Sequence, residues 1–83
     1  MRLDVALFEL RLFRSRSAAS AAIQDGEALL NGRVVKPSHG LRPGDRITLA
    51  GDAGHRTLEV VELPRAGLSR EAARVLLREV ESE

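Results

Sequence analysis

Residues 2–26, RLDVALFELRLFRSRSAASAAIQDG, decide the beginning of the fold. Apolar residues recur here at the i, i+3, i+4, i+7 spacing of one helix face: Leu3, Ala6, Leu7 and Leu10. This periodicity predicts an amphipathic helix over residues 3–12. Asp4 falls in its first turn, where a carboxylate suits the positive end of the helix dipole.

A second helix is predicted a few residues later. Ser15 or Ser17 is suited to cap its N-terminus, and Gly26 is suited to end it just after Asp25. Its apolar face is mostly alanine: Ala18, Ala19, Ala22 and Ile23. Such small side chains allow a close approach, so we expect the two helices to pack against each other.

A hairpin is predicted next. Asn31-Gly32 stands between two short apolar runs at 28–30 and 33–35. A type I′ turn needs positive φ at both central positions, and this pair of residues tolerates that best. Residues 36–45 contain two prolines and two glycines and are expected to form a loop.

The remaining sequence predicts two more strands and a helix. Residues 47–49 and 56–63 are rich in apolar and β-branched residues, so we expect strands joined by a turn at 51–54. Ser69 is suited to cap a last helix over residues 70–81, interpreted as a structural lid on the sheet. The predicted fold class is therefore α+β, with two packed N-terminal helices, a small antiparallel or mixed sheet and a C-terminal helix.

Length and composition restrict the class of protein. A chain of 83 residues corresponds to one domain. It has no cysteine, which excludes disulfides and thiolate metal sites and favours an intracellular protein. We find neither a signal-peptide pattern nor a run of about 20 apolar residues, so a cytoplasmic location is expected.

Charge is distributed unevenly along the chain. The net charge is only +1, but residues 1–50 carry eight basic groups and five acids, whereas residues 51–83 carry five arginines and seven acids. The first part is thus about +3 and the second about −2. This asymmetry places the expected cationic surface in the first part of the chain.

Three arginines are the strongest binding candidates. Arg2 precedes the first predicted helix, and Arg14 and Arg16 flank the start of the second. Unpaired backbone N–H groups and the helix dipole already favour an anion at such a start. With Ser15 or Ser17 as the cap, the arginines are expected to form a phosphate cradle. The alternative is an ordinary solvated basic face.

Other charged residues have two interpretations. Arg33 and Lys36 either extend the cationic surface along the hairpin or protect an exposed strand edge from aggregation. Arg11 lies off the apolar stripe of the first helix, so it is expected to face solvent on the side of the same surface. Arg46 is expected to pair with Asp45 or with water.

Catalytic and metal chemistry has little support in the sequence. His39 and His55 lack the spacing of metal ligands, and we find no Ser–His–Asp arrangement and no Gly-rich phosphate loop. No catalytic site, metal or cofactor is therefore expected. Phe8 and Phe13 are the only aromatic residues, too few for base stacking of the single-strand-binding kind. Any RNA is expected to be recognised through its phosphates and its shape.

The order and spacing of these signals resemble the S-four RNA-binding domain, or alpha-L motif. The resemblance covers residues 2–49 through five patterns: Arg-Leu-Asp, Ser-Arg-Ser, Ile-x-x-Gly, Leu-x-Asn-Gly-x-x-Val and Pro-Gly-Asp-x-Ile. It implies one RNA-binding domain over residues 1–83, with a core motif at about 2–50 and a C-terminal extension at 51–83. The length and the early Arg-Leu-Asp pattern are similar to the stand-alone heat-shock-protein-fifteen and RqcP group.

That group binds the large ribosomal subunit carrying a stranded peptidyl-tRNA, and its RqcP members assist tailing of the stalled chain. The resemblance thus implies a non-catalytic protein that contacts rRNA and tRNA through Arg2, Arg14 and Arg16, with Lys36 as a weaker candidate. The complete set of predicted RNA-binding residues is Arg2, Arg11, Arg14, Ser15, Arg16, Ser17, Arg33 and Lys36.

The chain departs from the family pattern at four positions. Val5, Phe8 and Ser20 occupy places where relatives often have lysine, and Glu27 follows Gly26 at a place where a basic residue is common. These changes weaken the expected basic field and raise an alternative, a protein-interaction module that keeps the fold without the RNA surface. Phe8 either fills the core beside Ala6 or belongs to an apolar patch for such a partner. We expect a monomer without a membrane partner, and a ribosomal quality-control factor is a candidate partner.

Overall fold

The computed structural model describes residues 1–51 and 54–80. In chain order they form α1 (Leu3–Glu9), α2 (Arg16–Gln24), β1 (Ala28–Leu30), β2 (Arg46–Gly51), β3 (Gly54–Val60), α3 (Arg70–Arg74) and β4 (Leu77–Val80). The strands pair in one antiparallel sheet in the order β1-β2-β3-β4. This arrangement confirms the α+β class. None of the helices described is long and apolar enough to cross a bilayer.

One hydrophobic core joins the two N-terminal helices to the sheet. The helices bury their predicted faces: Leu3, Ala6 and Leu7 from α1, and Ala19, Ala22 and Ile23 from α2. The strands contribute Ala28, Leu30, Ile47 and Val60 to the same cluster. Burial of a side chain such as Ile23 contributes about 2 kcal/mol. Its replacement by alanine would cost about 2–5 kcal/mol, because a cavity would remain between α2 and the sheet.

The ends of α2 follow the sequence signals. Ser15 is the cap: its Oγ accepts a hydrogen bond of 3.0 Å from the N–H of Ala18, so Ser17 is left within the first turn. Gly26 follows the helix in a left-handed conformation with a φ of 77°. That conformation closes α2 as predicted, since glycine adopts it without steric cost.

Helix α1 ends at Glu9, three residues earlier than predicted. Arg11 adopts a left-handed conformation with a φ of 63°. Its N–H donates to the carbonyl of Phe8 (3.0 Å), and the N–H of Leu12 donates to that of Leu7 (3.1 Å). This is the Schellman closure that glycine usually provides, so the periodicity continues past the point where the backbone turns. An arginine in this conformation costs about 1 kcal/mol.

The hairpin prediction is correct for the turn and wrong for its second arm. Asn31 and Gly32 have φ values of 51° and 79°, as a type I′ turn requires. Across the turn, however, only Leu30 and Arg33 pair, and residues 33–35 form no strand. The partner of β1 is β2 instead. The reason is long-range: Val35 packs against the core and directs the chain away from β1.

The C-terminal prediction is wrong over its second half. Ser69 caps a helix as expected, with Oγ accepting from Ala72 N at 3.1 Å, but α3 ends at Arg74. Residues 77–80 form β4, which pairs with β3, so they extend the sheet rather than cover it. Pairing satisfies the backbone groups along the free edge of β3, a gain that helix periodicity does not reveal. Residues 52 and 53 of the predicted turn and residue 81 of the predicted helix lie outside the described residues.

Charged pairs across the strands differ from the predicted one. Glu59 accepts a hydrogen bond of 2.7 Å from Arg78 and lies 3.9 Å from the Nε of Arg46. Arg46 therefore pairs with Glu59 and not with Asp45. The Asp45 carboxylate instead accepts from the side-chain amide of Asn31 at 3.1 Å. It thereby ties the hairpin turn to the loop before β2.

Candidate nucleic-acid interface

The start of α2 brings together four of the predicted residues. Arg14, Arg16 and Ser17 are exposed, and Ser15 is half-buried because it caps the helix. The backbone N–H groups of Arg16 and Ser17 stand in the first turn, where no intrahelical acceptor is available. Neither Arg14 nor Arg16 forms an ion pair within residues 1–51 and 54–80. An anion at this point would meet two backbone donors and two guanidinium groups.

Phe8 supports one of these arginines. The Arg16 guanidinium carbon lies 5.9 Å from the centroid of the Phe8 ring, within the range of a cation–π contact. Phe8 is half-buried and is not among the side chains that pack on the central core. The side chain therefore does not fill the core as one interpretation suggested. It restricts Arg16 to the region beside the start of α2.

Arg11 has an exposed side chain, as predicted, but it is engaged by the C-terminal part of the chain. Its Nε and Nη2 donate hydrogen bonds of 3.1 and 2.7 Å to the carbonyl of Leu68. The bonds leave its positive charge uncompensated, because a carbonyl oxygen carries only a partial negative charge. Arg11 thus links the α1–α2 connection to the segment that leads into α3.

Arg2 lies at the other end of α1 from Arg14 and Arg16. It forms a two-pronged pair with Asp4, with Nε–Oδ1 at 3.0 Å and Nη2–Oδ2 at 2.9 Å. Burial alone would raise the pKa of the Asp4 carboxyl. The bonds from Arg2 and from the N–H of Val5 outweigh burial and hold that pKa below its ordinary value. Arg2 keeps three of its five N–H donors free of this pair, enough for a phosphate.

Lys36 and Arg33 occupy separate positions. The loop after Lys36 lies against the N-terminus, since the N–H of Leu3 donates to the carbonyl of His39 at 2.8 Å and Arg2 pairs with Gly40. Lys36 therefore lies on the same part of the surface as Arg2. Arg33 is exposed beside Val34, whose side chain lies next to Gly26 at the C-terminal end of α2.

The predicted set is thus divided over the surface rather than gathered in one cradle. The first candidate contact point is the start of α2, with Arg11 nearby. The second is the N-terminus with Arg2 and the loop at 36–40. The seven residues of α1 separate the two points by about 10 Å. An extended ligand, and not a single phosphate, matches this spacing.

A residue outside the predicted set also reaches the first contact point. Arg70, at the beginning of α3, lines a small pocket together with Arg14 and both aromatic residues, Phe8 and Phe13. The spacing of Arg70 and Arg74, one helical turn apart directly after a capping serine, is the signal that could have indicated it. The charge count along the sequence concealed it, because the acids of residues 51–83 outnumber the arginines there.

The buried acids have structural roles. Asp4 is paired with Arg2, and the carboxylate of Glu9 accepts a hydrogen bond of 3.0 Å from the N–H of Gly67. His, Asp and Glu side chains of residues 1–51 and 54–80 form no group of three that could hold a metal ion.

Two packed helices, a type I′ turn and an antiparallel sheet form a small α+β domain with exposed arginines around a capped helix start. The family model of the S4 domain matches residues 1–47. The chain belongs to the S4 domain family, which confirms its resemblance to the S-four RNA-binding domain. The match ends in β2, so β3, α3 and β4 lie beyond it.

Within this family the chain is similar to ribosomal and to quality-control proteins. It is 39% identical over 70 residues to the small ribosomal subunit protein uS4 of Thermosynechococcus vestitus, covering 83% of this chain and 35% of that protein. The chain spans about a third of the length of such uS4 relatives. It is 34% identical over 73 residues to the RQC P-site tRNA stabilizing factor of Bacillus subtilis, covering 88% of this chain and 85% of that one.

A solved structure matches almost the whole chain. The trimeric structure of Vibrio cholerae Heat Shock Protein 15 superposes with a TM-score of 0.90 at 29% sequence identity. The match covers 96% of this chain and 81% of that one. The likeness therefore extends through β3, α3 and β4, beyond the limit of the S4 family model.

Proposed function

We propose that this protein is a non-catalytic RNA-binding protein that docks on the large ribosomal subunit and contacts rRNA and tRNA backbones. Its role is in the rescue or quality control of stalled ribosomes, where it holds a tRNA in position so that a partner can act. The whole chain, residues 1–83, serves as one RNA-binding domain with a core motif at about 2–50. No bound cofactor takes part.

The observation that carries the proposal is the start of α2. Arg14 and Arg16 are exposed and free of ion pairs with any described residue, next to a helix end capped by Ser15. Guanidinium groups bind phosphate oxygens through forked, charge-assisted bonds, and the helix end adds backbone donors. Arg2 and Lys36 supply the second contact point about one helix length away, which suits a ligand with repeated phosphates.

The relatives indicate which RNA to test. The similar protein of Bacillus subtilis is described as a factor that stabilises the P-site tRNA in ribosome-associated quality control, and its length is close to that of this chain. The uS4 relatives are proteins of the small subunit but are much longer than this chain. The proposal of a large-subunit site with a tRNA therefore follows the resemblance to the stand-alone group and not the uS4 relatives.

The direct test is co-sedimentation with purified large ribosomal subunits, with and without a peptidyl-tRNA in the P site. We expect retention of the wild-type protein, stronger on subunits that carry the tRNA. The double variant Arg14→Ala/Arg16→Ala should lose most of this retention. Its matched control is Arg42→Ala/Arg65→Ala, which removes the same charge from exposed positions outside the proposed contact points.

Salt dependence provides a second readout with the same proteins. About four phosphate contacts, from Arg2, Arg14, Arg16 and Lys36, predict a slope near −3 in a plot of log affinity for unfractionated tRNA against log salt. The variant Arg14→Ala/Arg16→Ala should reduce that slope by about 2, and the control should leave it unchanged. Equal retention and equal slopes for the two double variants would refute the proposal.

The interaction-module alternative gains little from the structure. It rests on the low net charge and on Val5 and Phe8 as an apolar surface, but Val5 is half-buried and the Phe8 ring lies below the Arg16 guanidinium. A pull-down with this protein from nuclease-treated cell lysate separates the two functions. Loss of all partners with the RNA agrees with the proposal, whereas a partner retained without RNA contradicts it.

The proposed acting form is a monomer. The proposed contact points are formed by one chain, and neither requires a second copy. The similar Vibrio cholerae protein has a trimeric structure, so the mass in solution is a necessary measurement. Light scattering coupled to size-exclusion chromatography should give the mass of one chain. A mass of three chains that persists on dilution would overturn this part of the proposal.

A further inference from the structure

A groove lies between the α1–α2 connection and the C-terminal elements. Four leucines contribute to its apolar lining: Leu10, Leu12, Leu58 and Leu77. It encloses about 330 Å³, room for part of a nucleotide chain rather than for a lone ion. Arg11, Leu12 and Arg70 line both this groove and the small pocket beside Arg14, so the two are continuous.

The groove is strongly cationic. Four arginines and one glutamate line it, a net charge of +3. The glutamate, Glu79, pairs with Arg56 across β3 and β4. Arg70 and Arg74 are exposed and form no ion pair within residues 1–51 and 54–80. A groove with uncompensated charge of one sign attracts a polyanion.

The backbone that carries the two α3 arginines is anchored to the N-terminal half of the chain. The two arginines are separated by one helical turn, with about 5–6 Å between their Cβ atoms. The segment before α3 is attached at two points: the Gly67 N–H donates to the Glu9 carboxylate at the end of α1, and Arg11 in the α1–α2 connection donates to the carbonyl of Leu68. Such preorganisation lowers the cost of ordering the site on binding.

We propose that this groove is an RNA-contact site additional to the two contact points above. In it, Arg70 and Arg74 bind successive phosphates of the strand held at the start of α2. The inference rests on the proposed function, because it extends the same RNA path. Continuity favours RNA over an acidic peptide: from Arg16 through Arg14 to Arg70, a strand stays on positive surface. The C-terminal extension then takes part in RNA binding, although the S4 family match ends at residue 47.

The test compares three double variants by tRNA affinity and salt slope: Arg70→Ala/Arg74→Ala, Arg14→Ala/Arg16→Ala, and the control Arg42→Ala/Arg65→Ala. With the groove included, about six phosphate contacts predict a wild-type slope near −4 rather than the value near −3 expected from about four contacts. The first variant should weaken binding of unfractionated tRNA by roughly tenfold and reduce the salt slope by about 2. The control should change affinity by less than about twofold. Because all six side chains are exposed, the variants should keep the wild-type melting temperature.

Charge rescue separates binding from packing. Arg70→Lys/Arg74→Lys keeps two charges but loses the forked geometry, so it should restore the slope and part of the affinity. If the lysine variant binds as weakly as the alanine variant and both melt earlier than wild type, α3 has a structural role only and the proposal is overturned.

The outcomes distinguish this inference from the function on which it rests. An effect of Arg14→Ala/Arg16→Ala without an effect of Arg70→Ala/Arg74→Ala overturns the groove site alone. No effect of either variant overturns the proposed function. If poly-glutamate binds the wild type and the Arg70→Ala/Arg74→Ala variant loses only that binding, the groove belongs to an acidic protein segment and the RNA assignment is wrong.

Discussion

The pair between Arg2 and Asp4 gives a sharp prediction about stability. Asp4→Asn removes the charge but keeps an oxygen that can accept from the N–H of Val5. Two charge-assisted bonds of 3.0 and 2.9 Å would ordinarily contribute about 1.5–3 kcal/mol to the free energy of unfolding. The Arg2 side chain is 58% exposed, so solvent screening reduces this contribution. We expect Asp4→Asn to cost about 1 kcal/mol at pH 7.

The pH dependence identifies the source of that difference. The pKa of Asp4 is lower in the folded than in the unfolded state. Its contribution is therefore complete above the unfolded pKa of about 3.9 and is lost as the pH falls through the folded pKa. The stability difference between wild type and Asp4→Asn should be constant from about pH 7 to 5 and should shrink below about pH 4.

The assay is thermal unfolding followed by far-UV circular dichroism over a series of pH values. At neutral pH the melting temperature should fall by about 4–8 °C. Arg2→Gln should give a similar loss, and the double variant should lose no more than either single variant, because both changes break one pair. Equal melting temperatures at pH 7, or a difference that persists at low pH, would refute the reasoning.

Two further predictions concern the turn and the attachment of the C-terminal segment. Asn31→Ala should lower the free energy of unfolding by about 2 kcal/mol. It places alanine at a positive φ, and it removes the bond that Asn31 accepts from the Arg46 N–H and the bond that it donates to the Asp45 carboxylate. Asn31→Gly also removes both hydrogen bonds but tolerates the positive φ, so urea unfolding should show about half the loss seen for Asn31→Ala. Glu9→Ala should cost about 1–2 kcal/mol and speed amide hydrogen exchange at Gly67, whereas Glu9→Gln keeps an acceptor and should slow that exchange relative to Glu9→Ala. Unchanged exchange in Glu9→Ala would contradict the anchoring role.

The sequence alone determined the local features of this protein. The Ser15 cap, the end of α2 at Gly26 and the turn at Asn31-Gly32 all appear where predicted. Each depends on backbone conformations and hydrogen bonds within a few residues, which composition and spacing specify. The buried faces of α1 and α2 were predictable for the same reason, because helical periodicity already assigns them.

Tertiary structure decided whatever depends on residues distant in the chain. Residues 77–80 satisfy a helical pattern but pair with β3, because the edge of that strand offers backbone hydrogen bonds that a helix would leave unused. Arg2 and Arg14 seemed parts of one cradle, but the length of α1 separates them. Arg70, in a part of the sequence with net negative charge, comes to lie beside Arg14. The shape of the cationic surface therefore depends on how the C-terminal elements pack against α1, which no local pattern encodes.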